Sequence, residues 1–372
     1  MKRKSVNVDQ GIQRLRPTVV GAGLVALDVV IDHTTSTQDA SYFAGGTCGN
    51  VLTILSYLGW DSKPIARLKP GASTDLLIGD LERWGVDPAY LTQDADGSTP
   101  VIIQNIRELK DGSRTHSFSL RCPCCNAYLP GYKSILGQTA CQIAESIPAH
   151  QVFFFDRVSR GTLNLARASA KLGAVIVFEP SGVCEPRLFK EAWSIANVVK
   201  YSNERLRDIA DLNLQQTDCP GLLLEIETLG EDGLRFRSNL NSNRSWRSLK
   251  SIPVSRFRDA AGSGDWCTAG VLQKLAKAGV KKLKSTTAAQ LEEALKYGQA
   301  LATWNCSFDA ARGGMYKFSR QDFDRQVKQL LSGKSVRMRE EAIDSPVKEL
   351  SQLCPTCESA KFTNQRKTCT AS

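Results

Sequence analysis

Asp259 to Gly270 reads D-A-A-G-S-G-D-W-C-T-A-G, a glycine-interrupted loop between two carboxylates. It runs into an apolar segment of helical spacing, Trp266 to Val280. Gly262 and Gly264 allow a tight turn and leave backbone amides uncovered. At a helix N-terminus those amides and the dipole favour an anion. Asp265 then lies beside an anion hole, an unfavourable place for a carboxylate. Accepting a proton from a hydroxyl that attacks a phosphoryl group would account for it there. A plain αβ loop whose Asp caps a helix uses the same residues, so the loop by itself leaves both uses open.

A second polar cluster lies near the start of the chain. Tyr42 to Trp60 reads Y-F-A-G-G-T-C-G-N-V-L-T-I-L-S-Y-L-G-W. Gly45 and Gly46 give a turn with exposed amides. Asn50 is expected to open a helix, because Val51, Leu52, Ile54, Leu55 and Leu58 recur at helical spacing before Gly59. Thr18 to Val30, which carries Asp28, reads as a buried strand meeting a glycine turn. Gly21-Ala22-Gly23 lacks the third glycine of a dinucleotide fingerprint. Gly, Asn and Asp together suit the hydroxyls of a polyol.

These residues need a frame. A strand is expected at 64–68, a helix at 72–84, and strands at 99–106 and 114–120 joined by a turn at Asp111-Gly112. From Val152 the pattern becomes regular: strand 152–155, helix 162–172, strand 174–178, helix 187–196, strand 197–201, a helix near 204–212, and strand 222–228. Gly230-Glu231-Asp232-Gly233 then leads to a hairpin. Alternating strands and helices imply βαβ units, hence an α/β fold with a doubly wound, mostly parallel sheet flanked by helices. Ligands of such folds bind at the carboxyl ends of the strands, where these polar loops fall. Residues 1–16 read as a basic, disordered lead-in, and beyond Ser332 no packed structure is expected.

The bulk properties set limits. The 372 residues are 42% hydrophobic and 23% charged, ordinary for a globular chain. No apolar run approaches the ~20 residues of a membrane span, and no apolar stretch follows the basic N-terminus, so a cytoplasmic protein without a membrane partner is expected. The net charge of +10 suits anionic ligands. Its basic residues are scattered with few interleaved aromatics, which speaks against nucleic acid.

From about Thr18 to Phe318 the chain resembles the ribokinase/PfkB family of carbohydrate kinases. The marks are G-x-x-x-x-D (Gly23 to Asp28), A-G-G-x-x-x-N (Ala44 to Asn50), T-L-G-E-D-G (Thr228 to Gly233) and the Asp259 to Asp265 loop. Leu81 to Asp87 also resembles the family's L-x-x-x-G-V-D. The resemblance implies a ribokinase-like kinase domain over 17–330 that uses ATP and Mg²⁺. A small β lid, with strands about 31–43 and 99–120, would close over a sugar or nucleoside and could pair across a homodimer. It implies Asp265 as the base and the amides of Ala261, Gly262, Ser263 and Gly264 as the anion hole. Asp28, Gly45, Gly46 and Asn50 would bind the acceptor. Asn203 would lie near the phosphates and metal, and Thr228, Gly230 and Gly233 would shape the nucleotide site. Residues 302–314 would flank the adenine. The sequence departs from the family at Ala260, usually Thr or Ser, and at Leu206, usually the Glu of N-x-x-E. The 67–75 loop departs as well. Asp156, Arg157 and Arg67 are further candidates for acceptor contacts.

Twelve cysteines is a high count for a chain read as cytoplasmic, where thiols stay reduced or bind metal. Cys48, Cys141, Cys184, Cys267 and Cys306 stand in apolar contexts and read as small core residues. Cys122-Pro-Cys-Cys125 and Cys354-Pro-Thr-Cys357 each form C-x-x-C. Together Cys122, Cys125, Cys354 and Cys357 would make a tetrahedral zinc site pinning the 331–372 tail beside the lid. A simple turn and a disordered tail are the alternative. The sequence therefore favours an ATP-dependent phosphotransferase acting on a hydroxyl. The runner-up is a non-catalytic ligand-binding or regulatory relative with a Cys₄ zinc site.

Overall fold

The computed structural model describes residues 16–34, 40–110, 114–182, 185–205, 219–240, 245–334 and 353–359. Residues 1–15 of the expected 1–16 lead-in, the turn at Asp111-Gly112, Cys184 and the 206–212 part of the expected helix with Leu206 lie outside the described residues.

In chain order the elements are β1 (Thr18–Ala22), β2 (Ala26–Asp32), β3 (Ala40–Gly45), α1 (Thr47–Tyr57), β4 (Asp61–Leu68), α2 (Ala72–Arg83), β5 (Leu91–Gln93), β6 (Val101–Glu108) and β7 (Arg114–Ser119). Next come α3 (Gly137–Ser146), β8 (Val152–Phe155), α4 (Arg160–Lys171), β9 (Val175–Phe178), α5 (Pro186–Ile195), β10 (Val198–Ser202), β11 (Leu224–Thr228), β12 (Leu234–Ser238) and β13 (Arg247–Leu249). The helices α6 (Ser263–Leu275), α7 (Gly279–Lys284), α8 (Ala288–Asn305), α9 (Gly313–Lys317) and α10 (Arg320–Leu331) follow.

The large sheet has the order β13-β12-β11-β10-β9-β8-β1-β4-β5. It is parallel from β11 to β5, with an antiparallel β12–β13 hairpin at one edge. Alternation along the strands builds both faces. Val19, Phe154, Val175 and Val177 face α1, α6, α8 and α10. Val20, Phe153, Phe155, Ile176 and Phe178 face α3, α4 and α5. Burying each such side chain is worth about 1.5–3 kcal/mol, which is why continuous apolar strands fold this way. The chain turns one way from β1 to β4 and the other way from β8 to β9. The crevice between β1 and β8 is therefore the topological switch point. Across it the Leu24 N–H donates to Asp156 at 2.8 Å.

The 18–30 run, expected as one strand, is broken. Residues 23–25 leave the large sheet, and β2 starts a second sheet of order β3-β2-β6-β7. Apolar continuity hid the break, since both halves are buried. Two-residue alternation gives this small sheet two different faces. Leu27, Val29, Ile31, Tyr42, Val101 and Ile103 pack against α2, the 122–129 loop and Leu353 and Cys354. Val30, Phe43 and Ile106 face Ala310 and Tyr316 instead, and Asp28 and Gln104 share that side.

Three local expectations need correction. Helix α1 begins at Thr47, not Asn50, because Gly46 at φ 76° forms its N-cap. Cys141 is exposed on α3 and is not core, whereas Cys48, Cys267 and Cys306 are buried. Packing also extends past Ser332: residues 353–359 include a helical turn, and Leu353 and Cys354 are buried.

Candidate active site

Helix α6 opens at Gly262, whose φ of 72° lies in the left-handed region. A Cβ there would lie 2.4 Å from the Ala311 carbonyl oxygen, so both conformation and space demand glycine. The loop before it is shaped by Asp259. One of its oxygens accepts from the Ala261 N–H at 2.8 Å and the other from the Ala310 N–H at 3.1 Å. The Ser263 N–H donates to the Ala260 carbonyl at 3.1 Å. Two of the four amides expected in the anion hole are thus taken internally. The N–H groups of Gly262, Gly264 and Asp265 have no partner among the described residues and stand at the positive end of α6.

Asp265 lies in the first turn of α6 and is buried. Its carboxylate accepts from the Asn50 side-chain amide of α1 at 2.8 Å. Two helix N-termini, α1 and α6, thereby meet at one carboxylate. Burial, helped by the Glu179 charge, pushes Asp265 up to about 8, with Asn50 and Lys200 pulling the other way. Helix α6 is held so deep because it crosses α8 at backbone contact: a Cβ on Gly270 would lie 2.7 Å from the Gly298 Cα.

Lys200 on β10 is a cation that sequence reasoning missed. It is buried, and its Nζ donates to Glu179 Oε1 at 2.6 Å. Glu179 accepts a second bond from Thr268 of α6. Burial works against the lysine charge, but Glu179 outweighs it and the pKa is raised. A Cβ added to Gly264 would find Lys200 Nζ at 3.5 Å and Glu179 Oε1 at 3.7 Å, so this ion pair lies beneath the open amides. Its only signal was a lysine inside an otherwise apolar strand.

Arg312 was missed as well. Its Nε donates to Asn50 Oδ1 at 3.1 Å, which leaves the Asn50 amide nitrogen to face Asp265. Its Nη2 reaches Asp80 of α2 at 2.9 Å and the Ala44 carbonyl. Tyr316 donates to the same Asp80. Nothing local marked this residue, which comes 262 positions after Asn50.

Asp28 faces the Gly45-Gly46 turn. A Cβ on Gly45 would lie 2.0 Å from Asp28 Oδ2, so glycine makes room for the carboxylate. Burial pushes Asp28 up to about 7, against the pull of Arg312 and the Gly46 N–H. Asp28 Oδ1 and Arg312 Nη1 are both buried without a hydrogen-bond partner among the described residues. Buried orphans of this kind suit a hydroxyl-bearing ligand.

The structure brings Asp265, Asn50, Gly262 and Gly264 together and sets Asp28, Gly45 and Gly46 beside them through Arg312. Asn203 and Thr228 lie on neighbouring strand tips, with the Asn203 N–H donating to the Thr228 carbonyl at 3.1 Å. Gly230 and Gly233 bound a 3₁₀ turn closed by the Leu229 N–H on the Gly233 carbonyl at 2.8 Å. Asp156 and Arg157 line a small cleft with Phe178, Pro180, Ser181 and Gly182 at the ends of β8 and β9. Arg67 instead pairs with Asp94 at 3.0 Å, beside β5.

The small sheet touches the loop directly. Gln104 of β6 donates to Asp259 at 2.5 Å, and His116 of β7 lies 2.8 Å from its other oxygen. On the opposite face of that sheet, Cys122, Cys125, Cys354 and Cys357 gather, with all four Sγ atoms within 4.8 Å of one another.

No family model matches the chain. Mouse ketohexokinase is 31% identical over 108 residues, which is 26% of this chain and 35% of that protein, about a third of its length. Among solved structures, an Arabidopsis thaliana ribokinase complexed with ribose and ATP superposes with a TM-score of 0.61 at 16% identity, over 85% of this chain and 99% of that one. A Burkholderia thailandensis nucleoside kinase in complex with inosine gives 0.60 at 14% identity, over 85% and 98%. The chain has the ribokinase fold: a large, mostly parallel sheet flanked by helices, with a second small sheet as the lid. Among the described residues, no helix is long and apolar enough to cross a membrane.

Proposed function

We propose that this chain is an ATP-dependent kinase that phosphorylates a hydroxyl of a sugar, nucleoside or related polyol. The observation that carries this function is Asp265, buried and held by Asn50 at a helix N-terminus whose amides are open, with Lys200 beneath them. Phosphoryl transfer asks a protein chiefly for positioning and fixed dipoles. Asp28, Gly45, Gly46 and Asn50 hold the acceptor. Its hydroxyl gives a proton to Asp265 as the oxygen attacks the γ-phosphorus, and the bond to the ADP oxygen breaks. The N–H groups of Gly262, Gly264 and Asp265, together with Lys200, stabilise the charge on the transferring group.

Asn203, Thr228, Gly230 and Gly233 shape the nucleotide site, and residues 302–314 flank the adenine. The donors at these strand ends are oxygen-rich, with the Glu179 carboxylate facing the loop, and they fit Mg²⁺ held with phosphates and water. When bound, Mg²⁺ neutralises charge on the phosphate oxygens. The lid, gripping Asp259 through Gln104 and His116, excludes water from the reacting groups. The ribose and inosine bound in the two similar structures, and the ketohexokinase name of the mouse relative, support the acceptor class.

The test is ADP formation with Mg²⁺ against a panel of sugars and nucleosides. Acceptor-dependent turnover is expected, and Asp265→Asn should lower kcat by about 10²–10⁴-fold while retaining ATP binding. In the native protein kcat/KM should climb with pH toward the Asp265 value of about 8. Full turnover in the variant would reject Asp265 as the base. ATP binding without turnover on any acceptor would reject the kinase assignment.

A further inference from the structure

We propose that Cys122, Cys125, Cys354 and Cys357 bind one zinc ion as a tetrathiolate, and that this metal staples residues 353–359 onto the lid sheet behind Asp28. The four thiols come from two C-x-x-C pairs that the fold brings together across 229 and 235 residues of chain. Their spacing is that of a ligand shell. Tetrahedral bonds of about 2.3 Å to zinc require sulfur–sulfur edges of about 3.8 Å. Cys122 and Cys357 stand 3.8 Å apart, and Cys125 and Cys354 stand 3.6 Å apart. All four are free thiols, and those separations are far longer than a disulfide of about 2.05 Å.

The backbone around the first pair is shaped for the same purpose. Asn126, directly after Cys125, has φ 61°, a left-handed conformation that Asn tolerates better than most residues. It lets the chain fold back, so that the Asn126 N–H reaches the Cys122 carbonyl at 2.9 Å and the Cys122 N–H reaches Ala127 at 2.8 Å. The Cys124 N–H points at Cys122 Sγ at 3.4 Å, a donor suited to a thiolate. Arg121 clasps the turn from outside, stacking 3.9 Å over Tyr128 and donating to the Asn126 carbonyl. Four thiolates in a tetrahedron select zinc among common divalent ions, and binding passes the thiol protons to solvent.

The position gives the metal a task. Leu353 and Cys354 share an apolar cluster with Leu27, Val29 and Ile31 of β2. Asp28 projects from the other side of that strand, toward Gly45. The staple thus backs the strand that presents an acceptor-binding carboxylate.

Metal analysis of the full-length protein should find one zinc per chain. Exchange with Co²⁺ should give the thiolate charge-transfer and tetrahedral ligand-field bands. Cys354→Ser/Cys357→Ser should lose both signals, whereas Cys141→Ser, on an exposed cysteine of α3, should keep them. In the double variant, limited proteolysis should cut the released tail. Acceptor KM should rise several-fold at unchanged ATP KM, an arm that rests on the kinase function while the metal arm does not. Freshly purified protein with no metal, with iron in place of zinc, or with Cys122–Cys357 and Cys125–Cys354 disulfides would overturn the proposal. Zinc retained in the double variant would overturn the ligand set.

Discussion

Asp265 does not hold its own geometry. Asp80 fixes Arg312, Arg312 orients Asn50, and Asn50 bonds the carboxylate. Arg312→Met should cut kcat by about 10–100-fold, the usual effect of losing an orienting partner behind a reactive group. It should also cost about 3–5 kcal/mol in a urea melt, because Asp80 loses its buried counter-ion. Arg312→Lys should recover much of the stability and little of the rate, since an ammonium cannot supply the guanidinium fork. Asp265 and Gly262 were legible because a glycine loop, a helix start and a carboxylate lie within a few positions of one another, and Asn50 because it follows the Gly45-Gly46 turn at the head of an apolar helical run. Arg312, Asp80 and Lys200 were not legible. Each gains its role from a residue far along the chain, and none differs locally from a surface ion or a strand lysine.

At the scale of elements, the lid is tied to the 259–265 loop by a titrating pair. The hydrogen bond to Asp259 raises the His116 pKa above its usual 6.5, although burial opposes it. Burial would raise Asp259, but His116, the Ala261 N–H and Gln104 outweigh it, and its pKa is lowered. The groups facing the pair are the Gln104 amide, the Ala261 and Ala310 N–H groups and the Cys306 thiol. A base with a raised folded pKa contributes fully below its unfolded value and loses that contribution as pH rises through the folded one. The Asp259 share is present above its unfolded value and is lost as acid lowers the pH through the folded one. The latch is therefore at full strength between the ordinary Asp and His values of 3.8 and 6.5. It is lost outward from them, through the lowered Asp259 pKa in acid and the raised His116 pKa in base. Acceptor KM should rise as His116 deprotonates, by about fivefold for a loss of about 1 kcal/mol. His116→Gln should flatten that limb, and an unchanged profile in the variant would show that the latch does not control acceptor binding. The alternating βα pattern predicted the large sheet well. It missed the departure to the lid after β1, where an unbroken apolar run is buried in two different sheets.

Across the whole molecule, the lid has two faces with opposite duties. One carries Asp28 and Gln104 toward the loop, and the other is covered in part by residues 353–359. The C-x-x-C spacing made the cysteine pairs legible and suggested one four-cysteine cluster beside the lid, which the fold does bring together although no periodicity links positions so distant. That distance also acts in time. At roughly 5–20 residues per second, the 229 residues between Cys125 and Cys354 take the ribosome about 10–45 s to add. Throughout that interval the apolar back of β2 and β6 has no tail to cover it. Nascent chains arrested at residue 340 should expose this face to a hydrophobic dye, and chains carried to residue 372 and released should not. Equal dye binding by both would mean that the tail adds nothing to the cover. Residues 353–359 are translated after every residue proposed for phosphoryl transfer, so a chain terminated before them carries all of those residues and still lacks the back of the wall proposed to hold the acceptor.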